Sequence, residues 1–210
     1  MINYLGTTMT ALILVDLQND FMPGGALPVP NGDKILPAIN ILLERHFDLI
    51  IASQDWHPEN HGSFAAVHGK QPGDNIILGN VEQVLWPTHC VQNTHGAKFV
   101  KGWNLDKITK IIQKGTSESI DSYSVFFDNA HLKSTSLYEL LKDNQITTLY
   151  IAGVATEYCV LYSVLDARKF GFEVYVVVDA CKGINLNLED EAKALELMKQ
   201  AGAHLTKSTT

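Results

Sequence analysis

Cysteine is scarce: the chain carries three in 210 residues, at positions 90, 159 and 181. Thiols spaced this widely build no disulfide framework, and they fit a reducing compartment, so a cytoplasmic protein is expected. Positive charge is also short. Sixteen Lys and Arg face twenty-three Asp and Glu, for a formal net charge of −7. That balance argues against nonspecific binding to nucleic acid or to an anionic membrane surface. No apolar run is long enough to span a bilayer. The first ten residues lack the basic and apolar segments of a secretion signal. Met9 offers an alternative start, which would make residues 1–8 a dispensable flexible arm. There is no internal repeat, no low-complexity segment, and no glycine-rich dinucleotide fingerprint after the first apolar run. What remains is ordinary for one folded domain: 46% hydrophobic and 19% charged residues, enough for a full core.

The apolar residues fall into short runs separated by helical spacing. Runs over 11–15, 49–52, 111–113, 148–152, 173–178 and 204–206 predict six strands. Helices are expected over 34–47, 136–142, 156–170 and 188–200. The first has Ile35, Ile39, Leu42 and Leu43 at helical spacing, Asp33 as cap and Pro37 in its first turns. Gly171 and Gly202 stop the third and fourth. Strands without alternation are covered on both faces, and helices between them make the sheet parallel. The expected architecture is a three-layer α/β/α, doubly wound domain around a mainly parallel six-stranded sheet. Acidic α/β enzymes of this size often self-associate, and the sequence leaves a homo-oligomer open.

Doubly wound sheets bind ligands beyond the carboxyl ends of their strands. Polar residues gather there: Asp16 after the first strand, Asp55 and His57 after the second, Lys114 after the third, Cys159 after the fourth. The segment 54–103 has little periodicity and is rich in Gly, Pro, His and Asn. A loop that long is functional or disordered, and its tryptophans and histidines favour function.

Cys159 opens a predicted helix. A thiol in a first helical turn meets free N–H groups and the positive end of the helix dipole, which favour thiolate and can also hold an oxyanion. Asp16 beside it could take the thiol proton and return it to a leaving group, or simply cap the next turn. Lys114 would steady negative charge, or be an ordinary solvated lysine. In Asp55-Trp56-His57 the outer two side chains point the same way in an extended chain, so both can reach one ion. His89 could supply a third ligand, and His61 a further one. One carboxylate and two imidazoles suit Zn²⁺, Fe²⁺ or Mn²⁺. Phe21, Trp86 and Tyr123 could wall a flat aromatic ligand. His46, His68, His95, His131 and His204 read as structural or surface residues. Cys90 and Cys181 lack a carboxylate–lysine pairing.

These segments together resemble the nicotinamidases within the isochorismatase-like cysteine hydrolases. The matching stretches are Val15-Asp16-Leu17-Gln18-Asn19-Asp20-Phe21 with Gly24-Gly25, Gln54-Asp55-Trp56-His57-Pro58, Trp86-Pro87-Thr88-His89-Cys90-Val91, Lys114-Gly115, Tyr123-Ser124 and Gly153 through Val160. The resemblance implies Asp16, Lys114 and Cys159 as a catalytic triad. It implies Asp55, His57 and His89 as ligands of one divalent metal, zinc or iron, with His61 at a position that is a ligand in only some members. It implies a cis Val154–Ala155 peptide that turns the Ala155 N–H toward the substrate, joining the Cys159 N–H in an oxyanion hole. Phe21 and Trp86 would sandwich a pyridine ring, with Tyr123 and Val154 also against the substrate. The implied reaction is nicotinamide to nicotinate and ammonia through a cysteine thioester, in NAD salvage, with pyrazinamide accepted as well. Alternatives are a related amidohydrolase acting on an N-carbamoyl or ureido compound, an isochorismatase, and a metal-bound binding protein without turnover.

Overall fold

The computed structural model describes residues 8–210, so the arm expected over 1–8 lies, apart from Thr8, outside the described residues. In chain order the main elements are β1 (Thr10–Val15), α1 (Leu36–Leu43), β2 (Leu49–Asp55), β3 (Asn75–Leu78), β4 (Val81–Val84), β5 (Lys110–Lys114), α2 (Leu137–Asp143), β6 (Thr148–Val154), α3 (Leu161–Lys169), β7 (Glu173–Lys182), α4 (Asp190–Gln200) and β8 (His204–Thr206). β1 is buried from Ala11 onward and β2 throughout, as their unbroken apolar runs require. Among the described residues no helix is long and apolar enough to cross a membrane.

The six expected strands form one sheet in the order β5-β2-β1-β6-β7-β8, and every neighbouring pair is parallel. The chain starts at β1, moves outward through β2 to β5, then returns to the other side of β1 as β6. The direction of winding therefore reverses between β1 and β6, where the carboxyl ends of neighbouring strands open a crevice. Val15 pairs with Gly153 at that end. Gly153 has φ +131°, and a Cβ there would collide with the Val15 carbonyl, so only glycine lets the two strands close up.

Several boundaries differ from the sequence reading. The helix expected over 34–47 begins as a 3₁₀ turn, Gly32–Ile35, and α1 then covers only Leu36–Leu43. Asp33 makes no capping bond; Asn31, in the left-handed region at φ 57°, starts the turn instead. Pro37 sits in the first turn as expected. α4 starts at Asp190 rather than 188, leaving Leu188 99% exposed. β7 continues through Lys182, beyond the expected residue 178, with a register shift against β6 between Ile151 and Gly153. The segment 54–103 holds a small antiparallel hairpin, β3–β4, turned by Gly79 and Asn80, both at positive φ. Its strands are short and mostly half-exposed, so the apolar pattern is weak. The Gly-Asn pair was the available signal.

Candidate active site

Lys114 ends β5 and is buried, an unusual fate for lysine that demands partners. It has four. Its Nζ donates to Asp55 Oδ1 at 2.5 Å, to the Ser122 carbonyl at 2.9 Å and toward Cys159 Sγ at 3.3 Å, and lies 2.9 Å from Asp16 Oδ2. The structure thus brings Asp16, Lys114 and Cys159 together from three strand ends. Burial alone would neutralise Lys114, but the two carboxylates more than offset it and hold its pKa well above the usual lysine value. Burial raises the Asp16 carboxyl from its usual range, with Lys114 opposing and Asp55 assisting. Burial also pushes the Cys159 thiol well up, against the pull of Lys114. The thiolate expected from the helix terminus alone is therefore outweighed by desolvation, and the resting thiol needs a base. An Asp16 carboxylate oxygen lies within 4.8 Å of Cys159 Sγ.

Two residues outside the sequence reading set Asp16 and Asp55. Ser53 Oγ donates to Asp16 Oδ1 at 2.6 Å, leaving Oδ2 to face Lys114. Gln18 clamps Asp55 by its backbone: Asp55 N donates to Gln18 Oε1 at 2.9 Å, and Gln18 Nε2 donates to the Asp55 carbonyl at 2.7 Å. Each is a buried polar group two residues from one carboxylate but bonded to the other, 37 residues away, so no local signal marks it.

Asp55, His57 and His89 form a second group whose ligand atoms lie within 4.8 Å of one another. His57 Nδ1 meets the Gly115 carbonyl at 2.9 Å and His89 Nδ1 the Pro87 carbonyl at 2.7 Å. A carbonyl can only accept, so both rings carry hydrogen on Nδ1 and present the Nε2 lone pair inward. Those Nε2 atoms lie 3.6 and 3.8 Å from Asp55 Oδ2. His57 Nε2 is buried with no hydrogen-bond partner, a cost that a cation would remove. Gly115, at φ +63°, is required here because a Cβ would overlap the His57 ring. These residues fit a divalent metal ion. Burial would raise the Asp55 carboxyl, but Lys114 overcomes it and keeps Asp55 well below the usual carboxylate range, as an anionic ligand requires.

His61 lies beside this group without entering it: its ring centroid is 4.2 Å from that of His57, its Nδ1 is 2.8 Å from Ser63 Oγ, and its Nε2 is also buried without a partner. Burial lowers its pKa to about 4, so the ring is neutral. Asp121, missed in the sequence, can join His57 and His61 in a third ligand arrangement. Phe64, also missed, packs at 5.5 Å against the rings of His57, His61 and His89. Asp20 braces the loop by accepting from Cys90 N at 2.7 Å, next to His89. The five remaining histidines lie outside the cluster, as expected; His68 bonds the Gly62 carbonyl and His204 pairs with Glu173.

Phe21, Trp86, Tyr123, Ala155 and Cys159 line one cavity with Asp55 and His89. Leu27, Asp121, Tyr158 and Ile184 complete its wall, and the sequence reading had none of them. Trp86 meets Tyr158 edge-on at 4.9 Å. Val154 is fully buried and does not line the cavity, whereas its partner in the cis Val154–Ala155 peptide does. Cys159 lies in a wide π turn, Thr156–Val160, that precedes α3: the Ala155 carbonyl accepts from Tyr158 N and Val160 N at 3.1 and 3.2 Å. Cys181 is buried, and desolvation pushes it to about 12.

Residues 10–210 match the Isochorismatase domain family. The nicotinamidase of Escherichia coli (strain K12) is 46% identical over 93% of this chain and 93% of its own length. A solved nicotinamidase/pyrazinamidase of Acinetobacter baumanii superposes with TM-score 0.92 at 46% identity, covering 97% of this chain and 98% of that one. The pyrazinamidase of Pyrococcus horikoshii, solved in complex with zinc, gives TM-score 0.77 at 46% identity over 94% of this chain and 98% of that one. The chain belongs to the isochorismatase family.

Proposed function

We propose that the chain is a nicotinamidase: an amidohydrolase that converts nicotinamide to nicotinate and ammonia, deamidates pyrazinamide by the same route, and serves nicotinamide salvage toward NAD. The observation that carries this reading is a thiol 3.3 Å from a buried lysine that also holds Asp16, inside a cavity walled by Phe21, Trp86 and Tyr123. The relatives named above support the substrate.

Asp16 takes the thiol proton, and Cys159 Sγ attacks the carboxamide carbon. Negative charge on the carbonyl oxygen is met by the Ala155 and Cys159 N–H groups. Asp16 returns the proton to the departing ammonia, leaving a thioester on Cys159. Asp16 then draws a proton from water, which attacks the thioester, and nicotinate leaves with the thiol restored. Lys114 stays charged throughout and steadies Asp55 together with whichever of Asp16 and Cys159 is ionised at each step. Asp55, His57 and His89 would hold the metal; zinc suits these donors, and iron or manganese would be accepted by the same set. When bound, the ion orients the ring by coordination, a positioning role. Phe21 and Trp86 hold the ring by stacking. The three unpaired thiols suit the cytoplasm, and self-association belongs to the same proposal.

The test is ammonia release from nicotinamide by purified protein, with and without chelator, beside Cys159→Ala. Loss in both treated samples supports a metal-assisted cysteine amidase. Loss in the variant alone keeps the cysteine chemistry and removes the metal from it. An inactive, metal-loaded wild type rejects nicotinamide and points to carbamoyl or ureido substrates.

A further inference from the structure

The β3–β4 hairpin buries one side chain fully, that of Gln83. An enclosed amide is costly unless each of its groups is bonded. Gln83 is fully engaged. Its Oε1 accepts from Asn129 Nδ2 at 3.1 Å. Its Nε2 donates to the Val84 carbonyl at 2.7 Å and to Tyr123 Oη at 2.8 Å, and lies 3.4 Å from Asp121 Oδ2. A carbonyl and a carboxylate accept only, so the partners fix which end of the amide faces them.

Tyr123 Oη also accepts from the Trp86 indole Nε1 at 3.1 Å. A phenolic oxygen has two lone pairs and one hydrogen. With both lone pairs engaged, its hydrogen is directed away from Gln83 and Trp86. The backbone is held by the same relay: Tyr123 N donates to Asn129 Oδ1 at 2.8 Å, and Asn129 N donates to the Asp121 carbonyl at 2.7 Å. Tyr123, Trp86 and Asp121 all line the cavity that contains Cys159. The hydrogen bonds of Gln83 reach neither Asp16, Lys114 nor Cys159.

We propose that Gln83 is a positioning residue for the flat aromatic amide. It fixes the hydroxyl of Tyr123 and, through it, the indole of Trp86, and so sets how tightly the ring is held rather than how fast the bond breaks. The inference rests on the nicotinamidase reading for its kinetic form, but the relay itself can be observed without turnover.

The experiment compares wild type, Gln83→Met, Tyr123→Phe and the double variant. Methionine keeps the length of the side chain and removes its donors. For nicotinamide, KM in Gln83→Met should rise about tenfold, the worth of one enclosed hydrogen bond, with kcat within about twofold. The double variant should lose no more than Tyr123→Phe alone, because both substitutions cut the same path. An unchanged KM in Gln83→Met, or losses that multiply in the double variant, would overturn the proposal, since a hairpin anchor acting by itself would be additive. The Trp86 indole N–H resonance, assigned with Trp86→Phe among the three tryptophans, provides the second readout. It should move in Gln83→Met as it does in Tyr123→Phe, and an unmoved resonance would reject the relay. An inactive wild type would reject nicotinamide as substrate while leaving that resonance to decide for or against Gln83. If Gln83→Met fails to fold, Gln83→Glu retains the shape, turns a donor to Tyr123 into an acceptor, and is judged by the same two readouts.

Discussion

The strand-end charges and the loop histidines lie side by side yet are held by different forces. Asp16, Asp55 and Lys114 sit at the ends of parallel strands; mutual charge overcomes burial at Lys114 and Asp55, while burial still raises Asp16. His57, His61 and His89 come from the segment after β2, where each Nδ1 is tied to a carbonyl or hydroxyl and each ring packs on Phe64. The first set stores its cost in electrostatics and cancels it internally. The second set leaves buried Nε2 atoms of His57 and His61 unpaired, and cancels nothing until a cation arrives.

The largest way to separate the two sets is at the nucleophile. Cys159→Ala should lower kcat for ammonia release by about 10⁴-fold or more, the loss typical of removing a nucleophile that acts as a unit with its base. Metal content, measured by elemental analysis, should stay at the wild-type level, because the histidines do not depend on the thiol. Lys114→Met attacks the charge set itself. It leaves two carboxylates facing each other in a dry site, and should cost about 3–5 kcal/mol in urea unfolding besides abolishing activity.

Acid should test the histidine set in the chelated protein. The His61 pKa is lowered from 6.5 to about 4 by burial, so between these values the unfolded chain binds the extra proton and the folded one does not. The contribution of the neutral His61 ring is therefore full above pH 6.5 and is lost as pH falls toward about 4. Melting temperatures of metal-free protein should fall across that window, and His61→Gln should flatten the fall. The smallest effect belongs outside both sets. Ile77, on the hairpin and 67% exposed, should tolerate Ile77→Ser within about 0.5 kcal/mol, read by the same unfolding assay.

Legibility in the sequence followed the same division. The strands β1, β2 and β6 were readable because a strand covered on both faces must be continuously apolar. The charges at their ends were readable because a carboxylate or lysine ending such a run has few places to go. Boundaries failed where local bonds compete with the regular pattern: at Asn31, which starts a 3₁₀ turn before α1, and at Ala155, whose carbonyl takes two N–H groups and widens the turn at Cys159. The hairpin was missed because its strands are short and half-exposed. Leu27, Asp121, Tyr158 and Ile184 were missed because nothing in their neighbours marks which face they turn to the cavity.

The sequence by itself determined the layered parallel fold and put Asp16, Asp55, Lys114 and Cys159 at strand ends, since burial on two faces leaves local traces; their grouping with the histidines came from the family resemblance. Tertiary structure alone decided the protonation of Cys159, the oxygen that Asp16 presents, the nitrogen that each histidine presents and the hold of Gln83 on Tyr123. Those depend on desolvation and on hydrogen-bond partners tens of residues away, such as Ser53 for Asp16 and Gly115 for His57, which no local pattern encodes.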